Sequence, residues 1–566
     1  MTQAHRQAPP TADAADVRRD RRVTAFPRTT GTTTGTTAGR TTGTSTTCGT
    51  TFPTTAGPVR GAAAGPDTVA VRGVPYAAPP FGPDRFRAPR PPRPWEGVRD
   101  CTRFGPVAPQ SARLPGAPHW SPGDEDVLTL NVWTPARRDP APAGGGLPVL
   151  VWIHGGAYTF GSSAQPDYDG AALCRAGLVV VTVNYRVGFE GFGHVPPAEA
   201  GDERHPDNRG LLDQIAALHW VRDNIASFGG DPGNVTVAGQ SAGASSVACL
   251  LVADAARGLF RRAVAHSPVN SCSSVALAAR TTRHVAAAAG VPPTAEGLLS
   301  APPGALVAAS DEVADAYRRD PGSGPRHYDP VVYAPVADGR LLPADPLAVT
   351  AGGALPAAGP LPDLLVCVSD QEYWLMDAVG SSAEVTTEGG LARFAADFGI
   401  AAGVVEAYRE AMPGAPVSDV HLALFGDVVF GEYGRRLAGA HAAAGGRTHL
   451  SRFARRRTDG AGGAVLPWHC ADVPFAFGTL ADESVRFLVG GDAPDAADHE
   501  LSRRMVASWA SFATTGDPGW EPLDASGDGP VHMWWTSGAD DRPWAAERIA
   551  AYRRAWRTHG FPLLET

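Results

Sequence analysis

Apolar residues fall into two recurrent patterns along this chain. Residues 147–153 (LPVLVWI), 178–184 (LVVVTVN) and 364–368 (LLVCV) are short, nearly continuous hydrophobic runs rich in β-branched side chains. Such runs predict strands covered on both faces. Residues 69–76 and 125–133 predict further strands, the second by alternation, and 449–453 and 531–535 a late strand and an edge strand. Between them, residues 208–228 place Leu211, Leu212, Ile215, Leu218, Val221 and Ile225 at helical spacing, and Gly229-Gly230-Asp231-Pro232 ends the run. Residues 387–412 predict a helix stopped by Pro413, and 501–513 an amphipathic helix. Buried strands alternating with helices mean an α/β protein with a large, mostly parallel sheet. Residues 272–330 are Ala-rich, with Pro-Pro breaks, and predict a helical cap inserted into that sheet domain.

One stretch organises the rest. Val235-Thr236-Val237 suits a buried strand, Gly239-Gln240-Ser241-Ala242-Gly243 follows at once, and small residues with Leu250-Leu251 then suit a buried helix. Strand, G-x-S-x-G, helix is the order of a nucleophile elbow. A chain reversing this sharply strains the serine backbone and leaves no room beside it, room that Gly239 and Gly243 supply. Ser241 would then stand over the carboxyl edge of the sheet, with the Ala242 amide facing the same space as a donor to an oxyanion. The run 147–153 ends in His154-Gly155-Gly156-Ala157-Tyr158, where adjacent glycines allow backbone amides to approach a ligand, or simply make a tight turn. With 66 glycines in 566 residues, G-x-S-x-G alone decides little, and its weight comes from this context.

Composition narrows the chemistry. Hydrophobic residues at 43% and charged residues at 19% describe a globular chain. A net charge of −9 without a basic stripe argues against nucleic acid as a partner. All 49 basic residues are arginine. Without lysine there is no Schiff base, no pyridoxal site, no S-x-x-K acylase and no Walker-A loop, so a serine nucleophile must use histidine as its base. The seven cysteines are odd in number and form no C-x-x-C pair, which disfavours a disulfide framework or zinc site and fits reduced thiols in a cytoplasmic setting. No apolar run is long enough to span a membrane. Residues 1–52 form a Thr/Gly-rich segment expected to be a disordered tail, leaving 53–560 as the folded domain. Arg18-Arg19 and Arg21-Arg22 are not followed by an apolar segment and do not make a twin-arginine export signal.

Further motifs accompany the elbow: Gly73-Val74-Pro75-Tyr76-Ala77, EDVLTLNV (125–132), His154-Gly155-Gly156-Ala157, Asn184-Tyr185-Arg186 and DNRGLLDQ (207–214). FGGDP (228–232), GQSAGA (239–244), PVADG (335–339), HCADVPFAFG (469–478) and WASFATTGDP (509–518) complete the set. This set gives residues 57–518 a resemblance to the type-B carboxylesterases, the cholinesterase-like branch of the α/β-hydrolases. The resemblance implies an α/β-hydrolase fold and a relay of Ser241 as nucleophile, His469 as general base and acid, and Glu372 as the acid, in the chain order of that fold. It also implies an oxyanion hole of the Gly156, Ala157 and Ala242 amides, with no metal or cofactor. The sequence departs from the family in four places. Gln371-Glu372-Tyr373 stands where the family has Asp-Glu-Gly, so Asp370 competes with Glu372 for the acid. Gln240 replaces a glutamate, which weakens attraction for cationic substrates and predicts poor hydrolysis of choline esters. Ala108 and Val127 occupy the positions of the family's first disulfide, as fits a bacterial member in a reducing compartment. Ser267-Pro268 replaces Ser-Gly, and Cys470 replaces a glycine beside His469, where it is expected to be a small core filler rather than a redox switch.

The pattern predicts a serine carboxylester hydrolase for neutral, fairly apolar esters, with a small ester as its partner and a monomer or weak homo-oligomer as its state. An amidase, lactonase or acyltransferase would use the same machinery, and a catalytically silent binding module would keep only the fold. Retention of Ser241, His469 and a candidate acid favours catalysis over the silent module. His154 is expected to be structural, and Trp152, Tyr158 and Trp374 to serve packing.

Overall fold

Side chains of a strand leave alternate faces of its sheet, and in this protein both faces meet a core. The computed structural model describes residues 50–565, apart from 113–117, 137–144, 200, 202, 356–358, 376–382, 459–463, 528 and 536–541. The stretch 1–49, most of the expected tail, lies outside the described residues. A ten-stranded sheet is built, in chain order, from β1 (Ala62–Ala63), β2 (Thr68–Pro75), β3 (Thr129–Pro135), β4 (Leu147–Ile153), β5 (Val179–Val183), β6 (Gly230–Gln240), β7 (Arg262–His266), β8 (Asp363–Ser369), β9 (Thr448–Phe453) and β10 (His532–Trp534). Its spatial order is β10-β9-β8-β7-β6-β4-β5-β3-β2-β1. Pairing is parallel from β10 to β5 and antiparallel from β5 to β1. In β4, Val149, Val151 and Ile153 enter one core while Leu150 and Trp152 enter the other, so the apolar run expresses burial on both faces.

Helices α1 (Arg209–Asn224) and α2 (Ala242–Val252) cover the first face. The 272–330 stretch contains α3 (Val275–Ala288) and α4 (Pro303–Arg319), whose apolar sides join the same core. A third apolar cluster gathers α5 (Glu388–Asp397), α6 (Ala402–Ala411), α7 (Val417–Gly426), a π-helical turn Asp427–Gly431 and the carboxyl-terminal helix. Helix α8 (Glu432–Ala443) continues from that turn onto β8 and β9. On the opposite face of the sheet lie α9 (Val473–Phe477) and α10 (Ala496–Thr515); α11 (Arg542–His559) is the carboxyl-terminal helix.

The continuous helix expected over 387–412 is two helices, broken where Gly399 adopts φ +65°. Helices α7, α8 and α11 were not predicted. The first is so thoroughly buried that it has little polar face to give a period, whereas α11 does carry one, burying Ile549, Tyr552, Ala555 and Trp556. None of the described helices is long and apolar enough to cross a membrane.

Buried ion pairs tie loops to this frame. Arg186, just beyond β5, makes three hydrogen bonds to Asp213 of α1, Nε to Oδ2 at 2.8 Å, Nη2 to Oδ1 at 2.7 Å and its backbone amide to Oδ2 at 3.0 Å, and both side chains are sealed from solvent. The Arg455 guanidinium grips Asp498 in the same two-pronged way. Removing one partner leaves the other charge buried and unpaired, which costs about 3–5 kcal/mol. Asp213→Ala is therefore expected to lower the unfolding free energy by about that amount, measured by urea denaturation.

Candidate active site

Ser241 is the residue at which β6 turns into α2, and it holds φ 57°, ψ −125°, outside the regions open to ordinary L-residues. Its amide donates to the His266 carbonyl at 2.9 Å, and its carbonyl accepts from Ser245 at 2.9 Å as the first turn of α2. The glycines at either side are needed for contact rather than for torsion. A Cβ at Gly239 would lie 2.4 Å from the Gly243 carbonyl oxygen, and one at Gly243 would lie 2.1 Å from the Ile153 oxygen. The elbow is thus pressed against the end of β4.

The turn after β4 comes equally close. A Cβ on Gly155 would lie 3.1 Å from Ser241 Cβ. Gly156 sits at φ +118°, where an added Cβ would strike the Phe160 oxygen at 1.9 Å, and Ala157 and Tyr158 both have positive φ. Among the described residues the amides of Gly156, Ala157 and Ala242 donate to no other protein group. Ser241 is part-exposed and Ala157 exposed, so solvent reaches this corner.

His469 lies in the loop before α9. Its Nδ1 hydrogen-bonds Glu372 Oε2 at 2.7 Å, and both side chains are only 2% exposed. The other carboxylate oxygen of Glu372 accepts the Ser267 hydroxyl and the Ser369 amide, each at 2.6 Å. The π-helical turn lays Phe430 against the His469 ring, with centroids 4.3 Å apart. Burial alone would depress the His469 imidazolium, but the Cys470 sulfur and the Glu372 carboxylate outweigh it and hold it well above the usual histidine range.

Asp370 does not share this role. It faces Arg548, Arg456 and Arg452 at 2.8, 3.0 and 3.2 Å. Burial would raise its carboxyl, but these guanidiniums prevail and hold it at about 2. The acid within reach of the histidine is Glu372.

Three residues are placed differently from expectation. Gln240 is 2% exposed and turned inward, its Nε2 lying 3.0 Å from His469 Nε2, the nitrogen left free by Glu372. Cys470 is not a core filler: it is part-exposed and holds φ +69°, a left-handed conformation that explains why glycine suits this position. Ser267, which the sequence offered only as an unexplained departure, holds the acid. His154, Trp152 and Tyr158 are buried packing residues, as expected. His154 is buried and stacked on Tyr185 at 4.4 Å, and burial pushes its imidazole down to about 4. Trp152 packs among Tyr168, Phe477 and Trp509, and Tyr158 against Phe192.

The sequence matches the profile of the Carboxylesterase family over residues 49–531. The chain belongs to this family. It is 32% identical over 470 residues to the para-nitrobenzyl esterase of Bacillus subtilis (strain 168), covering 80% of this chain and 87% of that one. It is 34% identical over 492 residues to the phenmedipham hydrolase of Pseudarthrobacter oxydans, covering 83% and 89%. Among solved structures, a Geobacillus stearothermophilus carboxylesterase superposes with TM-score 0.73 at 34% identity, covering 89% of this chain and 100% of that one. The fold is that of the α/β-hydrolases, and this carboxylesterase is a carboxylic ester hydrolase.

Glu372→Gln would leave a neutral partner for the imidazolium. It is expected to lower kcat by up to about 10⁴-fold and, by lowering the His469 pKa, to move the acid limb of kcat/KM to lower pH. Asp370→Asn should leave that limb in place and reduce stability instead, as read from pH–rate profiles and urea unfolding of both variants.

Proposed function

We infer that this carboxylesterase cleaves neutral, fairly apolar esters through an acyl-enzyme on Ser241, with His469 as base and acid, Glu372 as its anchor, and the Gly156, Ala157 and Ala242 amides as oxyanion donors. The observation that carries the reading is the Glu372–His469 hydrogen bond on Nδ1. It directs Nε2 toward the elbow as a proton acceptor. His469 takes the Ser241 proton as the serine oxygen attacks the ester carbonyl. The carbonyl oxygen becomes an anion, and each donor aimed at it contributes about 2.7–4 kcal/mol to the transition state. His469, now an imidazolium stabilised by Glu372, returns the proton to the departing alcohol. Water then attacks the acyl-enzyme by the same route in reverse.

Neutral preference rests on Gln240, a buried amide carrying no charge beside the reacting nitrogen. Its side-chain amide sits on His469 Nε2 at rest, so it must yield that nitrogen when Ser241 donates its proton. A reducing, cytoplasmic setting is supported by the six unpaired cysteines among the described residues. A monomer or weak homo-oligomer remains the expected state in solution.

The test is a series of p-nitrophenyl esters of increasing acyl length, with Ser241→Ala as control. Hydrolysis by the wild-type protein and its loss in the variant are expected, and activity that survives the substitution overturns the reading. Acylcholines should show lower kcat/KM than matched neutral esters. Gln240→Glu should narrow that difference and, by placing a carboxylate on Nε2, move the acid limb of kcat/KM to higher pH.

A further inference from the structure

A second buried imidazole–carboxylate pair lies behind the first. His266, the last residue of β7, donates from Nδ1 to Asp472 Oδ2, and the two side chains are 1% and 0% exposed. The His266 ring meets Trp509 edge-on, with centroids 4.9 Å apart. The Cys367 thiol completes a cluster whose donor atoms lie within 4.8 Å of one another. Asp472 is three residues beyond His469 and stands at the start of α9.

These contacts converge on one dipeptide. The His266 carbonyl accepts the Ser241 amide at 2.9 Å. Ser267, at φ +52°, gives its hydroxyl to Glu372 at 2.6 Å and its amide to the Cys367 carbonyl at 2.7 Å. The His266 side chain holds the loop that bears His469. Residues 266–267 therefore touch the supports of nucleophile, acid and base together. The base loop is held on either side of left-handed Cys470, by the His469 amide on the Glu372 carbonyl at 3.2 Å and by Asp472 on His266.

A metal ion does not account for the cluster. Tetrahedral zinc with bonds of about 2.0–2.1 Å keeps its ligand atoms about 3.3 Å apart. The direct hydrogen bond between His266 and Asp472 leaves no space for an ion between those two atoms. Stability does not account for it either, because a well-packed apolar pair would serve as well as a buried ionisable one. What such a pair adds is direction: a short, geometrically strict contact that admits one placement of the loop.

We propose that His266 and Asp472 are positioning residues for ester hydrolysis, fixing the His469 loop to the strand end that also carries Ser241 and Glu372. The proposal rests on the Ser241–His469 reading given above. A base displaced by about 1 Å loses about 10²-fold in rate while substrate binding is little changed.

The experiment compares His266→Leu, which removes the donor, with His266→Gln, whose amide can still donate to Asp472. Thermal midpoints are read alongside kcat and KM for p-nitrophenyl butyrate. His266→Leu should lower kcat per folded enzyme by between about 10- and 100-fold, with KM within about twofold, and should also lower the thermal midpoint, because Asp472 is left buried without its partner. His266→Gln should restore kcat to within about threefold of wild type. If His266→Leu does not fold, Asp472→Asn is read in its place, and a fall in kcat of at least about tenfold at unchanged KM is expected. Wild-type kcat in the informative variant, or a loss that only tracks the folded fraction, overturns the proposal. So does stoichiometric zinc whose removal by a chelator slows the wild-type protein. Ser241→Ala separates the two readings: if it stays active the Ser241 reading fails, whereas an inactive Ser241→Ala beside a fully active His266→Leu sinks only the positioning pair.

Discussion

The backbone of Ser241 is the constraint from which the rest of the site follows. A residue with a Cβ at φ 57°, ψ −125° costs on the order of 1–3 kcal/mol and persists only where its surroundings over-determine it. The surroundings are visible on three sides. The Ser241 amide is taken by the β7 carbonyl, its own carbonyl opens α2, and Gly243 lies so close to Ile153 that no side chain fits between helix and strand. Strain is thus spread over a buried parallel sheet and a buried helix, both of which would have to move for the serine to relax. The same closeness sets the turn after β4 against the serine, where any side chain on Gly155 would crowd the Ser241 Cβ.

Electrostatics then distributes roles among carboxylates that composition cannot distinguish. Glu372 and Asp370 are two residues apart and equally buried. One is satisfied by neutral donors and an imidazole, the other by three guanidiniums. A carboxylate saturated by arginines has no capacity left to stabilise a transient imidazolium. One held by a hydroxyl and an amide keeps its charge for the histidine. Both residues lie past the end of β8, in a turn where strand alternation no longer applies, and that turn gives Glu372 alone the approach to His469.

Much of this was legible in the sequence. The apolar runs at 147–153, 178–184 and 364–368 became central strands because only a strand covered on both faces needs that composition. The elbow and the motif around His469 are both legible as motifs, and the fold brings the elbow's Gln240 to 3.0 Å from His469. The long-range contacts were not legible, because they depend on which strand ends become neighbours. Ser267 supports Glu372 from 105 residues away, and Gln240 reaches His469 from 229. The broken helix at Gly399 and the left-handed Cys470 are local, yet each depends on a torsion that composition does not state. Helix α11 is a different failure: its buried positions at 549, 552, 555 and 556 carry a helical period within an arginine-rich segment.

In the proposed relay, strand order explains why the base must come from so late in the chain. The turn after β4, the elbow after β6, the dipeptide after β7 and the acid after β8 leave four adjacent parallel strands at their carboxyl ends. The elbow and the acid are then two strand spacings apart, about 9.6 Å, too far for a serine to meet a carboxylate directly. A ring with a nitrogen at each edge bridges a gap of that width, provided it descends onto the sheet edge from outside. No strand end between β6 and β8 can supply it, because that place belongs to β7, whose backbone and side chains already hold the elbow and Glu372. The loop before α9 lies past β9 in the chain and is free of the sheet, so it can deliver His469 from above while Asp472 returns to β7. The separation of the three residues in sequence is therefore a consequence of the parallel sheet, which brings successive strand ends side by side but leaves their spacing wider than one hydrogen bond.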